Sequence, residues 1–305
     1  MARRRRGLPV NGVLLLDKPK GQSSNHALQR ARRLFQAQKA GHTGTLDPMA
    51  TGLLPVCFGE ATKFSAHLLA ADKVYRTRVE LGVVTDTGDA EGEVVERPAV
   101  PSLAAADVED VLERFRGEIE QVPPMYSALK HQGRKLYELA REGKSIERAA
   151  RRVTVYDARL LDFVGEAFEL HVKVSKGTYV RTLAEDIGRA LGTGAHISAL
   201  RRLETGPFTG QGWLTLEALE ALPDQAAREA MLLPVDVLVA HLPSLEVDAV
   251  EAAHLNQGRA ARVDASAMDT GETARLYCDG TFLGLGAVTG PQEVAPKRLL
   301  STAAD

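Results

Sequence analysis

The sequence predicts a soluble globular protein that combines helices and strands in about two domains. Of its 305 residues, 44% are hydrophobic and 26% are charged, which is ordinary for a globular chain and excludes disordered or collagen-like architectures. Segments in which apolar and polar residues alternate occur beside segments with apolar residues at helical spacing, so both element types are present. At about 150 residues per domain, the length corresponds to roughly two domains.

Residues that favour the starts and ends of helices separate the predicted elements. Ser23 or Ser24 can cap the first helix, and Gly192 ends the last one before the tail. The strand near 75–81 alternates cleanly and puts Tyr75 on its apolar face. Strands are predicted near 13–16, 53–58, 75–81, 153–163, 168–174 and 196–203, and helices near 24–35, 61–69, 103–115 and 181–191.

The tail from about Leu245 is predicted to form a separate small β module. Its apolar segments are short, and turns are expected at Asn256-Gln257-Gly258, Asp279-Gly280 and Gly290-Pro291.

Charge is distributed unevenly along the chain. The net charge of -2 conceals a basic first part, with ten Lys or Arg against two acids in residues 1–50. The last part is acidic, with six bases against fourteen acids in residues 211–305. A polyanionic partner is therefore compatible with a near-neutral total.

Cysteine usage and hydropathy favour a cytoplasmic protein. Cys57 and Cys278 are the only cysteines, so reduced thiols are the simplest interpretation. No apolar run approaches the roughly 18 residues of a membrane span. Arg3–Arg6 could mimic the start of a signal peptide, but Val13–Leu16 is too short to serve as its apolar region.

The segment from Gly41 to Gly52 is the most informative in the chain. It places three glycines and Asp47-Pro48 in twelve residues, and Pro48 holds Asp47 in an extended conformation. A carboxylate fixed on such a loop is well placed for catalysis, although an Asp that caps its own turn has the same local pattern. The loop fits neither a P-loop nor a dinucleotide-binding fingerprint. His42 is either structural or a planar ring that stacks on a base.

Five motifs occur together in a fixed order, and as a set they resemble the bacterial tRNA pseudouridine-55 synthases. The resemblance covers nearly the whole chain, and its tail resembles a divergent PUA domain, an RNA-binding β module. The motifs are Asp-Lys-Pro-x-Gly-x-Ser-Ser at 17–24, Gly-His-Thr-Gly-Thr-Leu-Asp-Pro-x-Ala-Thr-Gly-Leu-Leu at 41–54, Lys-x-Tyr-Arg at 73–76, Lys-Gly-Thr-Tyr-Val-Arg-Thr-Leu at 176–183 and Ala-Leu-Arg-Arg at 199–202.

The resemblance implies a reaction and a fold. Uridine 55 in the T-arm loop of tRNA would become pseudouridine: the N1–C1′ bond breaks, the base rotates and a C5–C1′ bond forms. No cofactor and no metal would be needed. The fold would be α+β, with a mixed, mainly antiparallel sheet in a catalytic domain at 11–243 and a PUA-like module at 244–305. Residues 1–10 would form a basic arm, expected to be disordered.

The resemblance also assigns catalytic roles. Asp47 would be the essential aspartate, attacking C1′ or C6 or removing the C2′ proton; these routes stay open. Arg181 would pair with Asp47, preferably by a bidentate contact, and keep the carboxylate ionised at neutral pH. Tyr75 would stack on the base and take the C5 proton.

Other residues would bind the flipped-out nucleotide. Tyr179 and Leu200 would line the uridine pocket, His42 would act as a wedge or stacking partner, and Lys20 would lie near the pocket. Extrusion of the base costs a few kcal/mol, part of which stacking recovers.

The basic stretch 121–152 resembles the family's insertion that grips the T stem-loop. It holds eight bases and three acids, and Lys130, Arg134, Arg151 and Arg152 would contact phosphates. No guide RNA, no obligatory protein partner and no membrane are expected. A non-catalytic RNA chaperone and a hydrolase that uses Asp47 as nucleophile are the alternatives.

Overall fold

The computed structural model describes residues 7–301, and in them an eight-stranded sheet forms the centre of the larger part of the chain. Its strand order is β1-β3-β12-β4-β11-β10-β7, and β2 pairs with β3. The β3–β12 pair is parallel and the other pairs are antiparallel, which confirms the predicted mixed sheet and α+β class. The strands of this sheet are β1 (Gly12–Lys18), β2 (Ala40–His42), β3 (Thr51–Phe58), β4 (Lys73–Leu81), β7 (Gly117–Gln121), β10 (Arg151–Val164), β11 (Ala167–Val174) and β12 (Ala195–Thr205).

The remaining strands form two hairpins and a second sheet. The second sheet has five strands in the order β13-β15-β16-β17-β14, and it occupies the tail. The hairpins are β5 (Val84–Thr85) with β6 (Val94–Glu96), and β8 (Lys130–His131) with β9 (Arg134–Lys135). The tail strands are β13 (Ser244–Glu246), β14 (Ala261–Arg262), β15 (Thr273–Cys278), β16 (Thr281–Gly290) and β17 (Glu293–Leu299).

Three eleven-residue helices cover one face of the large sheet. Their apolar residues join the inward residues of β4, β11 and β12 in one buried cluster, as expected for amphipathic helices on a sheet. The first helix is capped by Ser23, whose side chain accepts a hydrogen bond from the His26 amide. The helices are α1 (Ser24–Leu34), α2 (Ser65–Leu69), α3 (Ala105–Phe115), α4 (Leu136–Arg141), α5 (Val180–Ala190), α6 (Leu216–Glu220), α7 (Gln225–Glu229) and α8 (Ala249–Asn256).

The tail sheet packs on the large sheet through a second apolar cluster. Phe282 and Leu285 of β16 lie against residues of the larger part, and the rings of Phe64 and Phe282 are 5.6 Å apart. Lys63 Nζ donates to the Leu299 carbonyl at 3.0 Å. The five-stranded sheet is therefore held against the larger part by apolar contacts and by a hydrogen bond.

Three predicted features differ from the structure. The predicted helix 61–69 is instead a 3₁₀ turn (Gly59–Lys63) followed by α2. The helix is interrupted because the side chain of Phe64, which lies between the two elements, is fully buried in the second apolar cluster. The tail contains α8, which the interpretation of short strands missed. Part of the predicted disordered arm contacts the rest of the chain: the exposed Leu8 exchanges backbone hydrogen bonds with Gln36 and Gln38, and Val10 is buried. Arg3–Arg6 lie outside the described residues.

Candidate active site

Five of the predicted site residues line one cleft of about 310 Å³. Asp47 comes from the loop between β2 and β3, Tyr75 from β4 and Leu200 from β12, while Tyr179 and Arg181 lie at the start of α5. Residues from four separate segments of the chain therefore meet at the helix-covered face of the sheet.

The strand register explains why the sheet residues of the cleft share a face. Tyr75 of β4 is directly opposite Arg202 of β12, and Thr77 is opposite Leu200. Directly opposed residues of an antiparallel pair project to the same side, so Tyr75, Leu200 and Arg202 all point into the cleft. Leu200 is 8% exposed, and Tyr75 is half-buried against the main core.

Asp47 and Arg181 form an ion pair at the edge of this cleft. Arg181 Nε lies 3.1 Å from Asp47 Oδ2, and the side chains are 4% and 36% exposed, respectively. The predicted bidentate contact is not present, because the two terminal nitrogens of Arg181 donate to the carbonyls of Thr87 and Tyr126, each at 2.7 Å. Arg181 also lies 3.6 Å from a carboxylate oxygen of Asp89.

Burial dominates the electrostatics of Asp47. Desolvation raises the pKa of the Asp47 carboxyl above its ordinary value, and the nearby Asp89 adds to the rise. The positive charges of Arg181 and Lys18 act in the opposite direction. Arg181 therefore limits a rise in the pKa of Asp47 that burial would otherwise make larger.

Hydrogen bonds from the β1–α1 segment fix the loop that carries Asp47. Ser24 Oγ accepts from the Leu46 amide at 2.7 Å and lies 3.0 Å from the Leu46 carbonyl, to which it donates. The Gly21 amide donates to the Pro48 carbonyl at 2.8 Å. The residues on either side of Asp47 are thus anchored, which restricts where its carboxylate can point.

Two buried cations, Lys18 and Arg202, lie beneath the Asp47 loop and were not predicted from the sequence. Lys18 Nζ donates to the carbonyls of Pro19 (2.8 Å), Pro48 (3.3 Å) and Ala50 (2.7 Å). Arg202 donates to the carbonyls of Leu53 (2.7 Å) and Gly44 (3.2 Å). Their relative exposures are 0% and 1%.

These two cations lie in one row across three strands. Gly52 is paired with Lys18 on one side and with Arg202 on the other. Within residues 7–301, neither cation has a carboxylate at ion-pair distance. Burial lowers the pKa of the Lys18 ammonium to about 8. The only sequence signal for them was their place in the motifs at 17–24 and 199–202.

His42 and Lys20 lie outside the residues that line the cleft. His42 is half-buried at the end of β2, and burial together with Arg202 lowers the pKa of its imidazole. Its Nδ1 is buried without a hydrogen-bond partner in the structure. Lys20 is exposed. The nucleotide-binding roles assigned to both residues stay predictions.

The four predicted RNA-backbone residues fall into two environments. Lys130, Arg134 and Arg152 are exposed, with Arg134 paired to Glu142 and Arg152 to Glu118 at 3.2 Å. Arg151 instead is half-buried and turns toward the cleft, where its guanidinium lies over the Tyr179 ring.

Two further findings concern metal binding and membrane insertion. Among residues 7–301, no three His, Cys, Asp or Glu side chains come together in an arrangement that could hold a metal ion. No helix in the same range is both long and apolar enough to cross a bilayer.

Known protein families match most of the chain. Residues 32–180 match the TruB family pseudouridylate synthase N-terminal domain, residues 181–240 the tRNA pseudouridylate synthase B C-terminal domain, and residues 243–300 the C-terminal region of pseudouridine synthase II TruB. The three matches follow one another in chain order and include the cleft and the tail sheet.

Individual proteins match over nearly their whole length. A tRNA pseudouridine synthase B from Chromohalobacter salexigens is 67% identical over 303 residues, covering 99% of this chain and 98% of that protein. One from Azoarcus sp. is 57% identical over 293 residues, covering 96% of each. Among solved structures, a chain of a Cbf5-Nop10-Gar1 complex aligns with a TM-score of 0.72 at 26% identity, covering 98% of this chain and 91% of that chain.

Proposed function

The chain belongs to the TruB family of pseudouridine synthases, and from this membership we propose that it converts uridine 55 in the T-arm loop of tRNA to pseudouridine. It is an RNA-modifying isomerase that acts on tRNA uridine. The observation that carries the assignment is the Asp47–Arg181 ion pair, with 3.1 Å between Nε and Oδ2, at a cleft that Tyr75, Tyr179 and Leu200 also line.

The cleft offers one carboxylate and several planar or apolar surfaces. The half-buried Tyr75 and the buried Leu200 supply surfaces against which a pyrimidine ring can lie. Asp47 is the acidic side chain that lines this cleft. A uridine turned out of its RNA helix would enter with its ribose toward Asp47, in keeping with enzymes that act on extruded bases.

The reaction rearranges bonds within one nucleotide. The N1–C1′ bond breaks, the base rotates in the cleft, a C5–C1′ bond forms, and the proton on C5 leaves while N1 gains one. Asp47 initiates bond cleavage as an ionised carboxylate, Arg181 orients it, and Tyr75 holds the base and receives the C5 proton. The atoms balance without a co-reactant.

Substrate contacts extend beyond the cleft in this proposal. Lys130, Arg134 and Arg152 of the 121–152 segment are exposed and can contact phosphates of the T stem. The tail segment 244–305 of the proposed domain division, which contains the five-stranded sheet, serves as a PUA-like RNA-binding module. Its exposed cations are Arg259, Arg262, Lys297 and Arg298.

The enzyme works alone in this proposal, without guide RNA or an obligatory protein partner, and in the cytoplasm where tRNA is modified. The match to tRNA pseudouridine synthase B proteins over 96–99% of this chain supports this proposal, as do the free thiols of Cys57 and Cys278. The test is to incubate the purified protein alone with an unmodified tRNA transcript and with the isolated T stem-loop, and to map pseudouridine.

Pseudouridine at position 55 in both RNAs is the expected result. Reaction only after addition of a second RNA or protein would contradict independent action. Free uracil among the products would identify a hydrolase, and tRNA binding without modification would leave only a chaperone role.

A further inference from the structure

Arg151 and Tyr179 are in contact at the rim of the cleft. The guanidinium carbon of Arg151 lies 5.2 Å from the centroid of the Tyr179 ring, within the range of a cation–π contact. A terminal nitrogen of Arg151 also donates to the carbonyl of Gly177, in the turn that leads into α5. The nucleotide-binding residue Tyr179 is therefore contacted from outside the cleft by a cation of β10.

The backbone of Tyr179 is fixed independently of its ring. The Gln121 side-chain amide donates to the Tyr179 carbonyl at 3.0 Å, and its oxygen accepts from the Tyr179 amide at 2.7 Å. Gln121 is 1% exposed. Because the backbone is already held on both of its polar groups, the freedom that remains to Tyr179 is rotation of its side chain, and Arg151 covers that ring.

The turn before α5 lies against the guanidinium. Gly177 has a φ of +83°, and a Cβ built there would lie 3.5 Å from guanidinium atoms of Arg151. Arg151 Nε is buried and has no hydrogen-bond partner in the structure. Of the guanidinium nitrogens, Nε is therefore closed to a phosphate, and one terminal nitrogen is already engaged by the Gly177 carbonyl.

The neighbouring arginine provides a natural contrast. Arg152 projects to the opposite side of β10, its side chain is 75% exposed, and its partner at 3.2 Å is the exposed Glu118. Both arginines carry the same charge in adjacent positions. One is directed at the cleft and the other at solvent.

We propose that Arg151 is a positioning residue that holds the Tyr179 ring in place for the flipped uridine, and that it is not an RNA-backbone contact. The inference deepens the proposed function and rests on it. Loss of the guanidinium should slow the chemical step by freeing the ring, while the long-range attraction of RNA should remain.

The experiment compares Arg151→Gln with Arg152→Gln in the full chain, using the T stem-loop as substrate. Single-turnover rates of pseudouridine formation and RNA dissociation constants at several salt concentrations are measured. For Arg151→Gln we expect a rate about two- to thirtyfold lower, the fold-change that corresponds to loss of a cation–π contact. Its salt slope should equal that of the wild type, whereas Arg152→Gln should lose about one unit of slope.

Two further variants separate positioning from folding. Arg151→Lys keeps a cation over the ring and should recover most of the rate. In a Tyr179→Leu background, Arg151→Gln should have no further effect, because the ring through which it acts is gone. The proposal is overturned if Arg151→Gln flattens the salt slope at unchanged rate, if Arg151→Lys is folded yet as slow as Arg151→Gln, or if the two effects multiply. A wild-type protein that makes no pseudouridine in the same assay would refute the proposed function instead.

Discussion

Arg181 Nε lies 3.1 Å from Asp47 Oδ2, and the same guanidinium donates to the carbonyls of Thr87 and Tyr126. One buried side chain therefore joins the Asp47 loop, the acidic turn after β5 and the basic 121–152 segment. Its planar fork suits this task, since each nitrogen has a fixed direction. The position of the carboxylate consequently depends on three segments that are far apart in the sequence.

Replacement of Arg181 by Lys should slow the reaction by at least about 100-fold. Lysine keeps the charge but cannot make three contacts in fixed directions, and each lost charge-assisted hydrogen bond is worth about 1.5–3 kcal/mol. Single-turnover pseudouridine formation measures the effect, with tRNA affinity as the control. A rate within tenfold of the wild type would mean that charge alone suffices at this position.

Asp47→Asn should raise the free energy of unfolding at pH 7. Burial raises the pKa of the Asp47 carboxyl in the folded protein above its ordinary 3.8, so the folded state binds a proton more tightly than the unfolded chain does. The ionised carboxylate therefore destabilises the folded state above that raised pKa, and this cost disappears as the pH falls below 3.8. Urea denaturation at pH 7 and near pH 4 should show a stability gain that shrinks on acidification.

Asp264→Asn is the matched control of opposite sign. Hydrogen bonds from Ser266 lower the pKa of the exposed Asp264 carboxyl, so its ionised form stabilises the folded state at pH 7. The asparagine variant should be less stable there than the wild type. Equal behaviour of the two variants would refute the electrostatic explanation for Asp47.

Lys18→Met should change the pH dependence of stability on the alkaline side. The pKa of Lys18 is about 8 in the folded protein against 10.5 ordinarily, so between these values the unfolded chain holds a proton that the folded protein has lost. Lys18 alone therefore contributes a rise in stability of about 2 kcal/mol between pH 8 and pH 10. The variant lacks this contribution, and parallel denaturation curves for the two proteins would contradict the burial of a titrating lysine.

Gly52→Ala should destabilise the protein by at least about 3 kcal/mol. Gly52 has a φ of +98°, and an added Cβ would lie 2.2 Å from the Arg202 carbonyl oxygen. Gly165→Ala is the control, since Gly165 has a φ of +62° with no atom within 4 Å of the added Cβ, and it should cost about 1 kcal/mol. Urea denaturation compares them. Equal costs would show that the contact with Arg202 adds nothing to backbone strain.

The sequence predicted most of the fold because local patterns are strong in it. The alternation in β4 and the apolar face of α1 gave those elements nearly at their observed bounds. Two errors came from context. Phe64 interrupts the predicted helix 61–69 because a tertiary cluster buries it. Helix α8 has little amphipathic contrast, although Asp248 caps it by accepting a hydrogen bond from the Glu251 amide at 2.8 Å.

Five of the predicted site residues lie in one cleft, but the side chains beneath the Asp47 loop could not be predicted from the sequence. Asp47 and Arg181 stand in motifs, and the cleft brings them together. Lys18 and Arg202 were overlooked because charged side chains are ordinarily exposed, and only the register that places both beside Gly52 shows that they lie under the loop. The inward direction of Arg151 likewise depends on packing against Tyr179, which the basic composition of 121–152 does not reveal.

The most direct test of the central claim is the single-turnover rate of pseudouridine formation by purified Asp47→Asn on an unmodified tRNA transcript. Asparagine preserves the shape of the side chain, but it replaces one accepting oxygen by a donating NH2 group and carries no negative charge. We expect tRNA binding close to that of the wild type and no pseudouridine above background. Formation of pseudouridine by this variant at a rate near that of the wild type would show that the Asp47 carboxylate does not perform the chemistry.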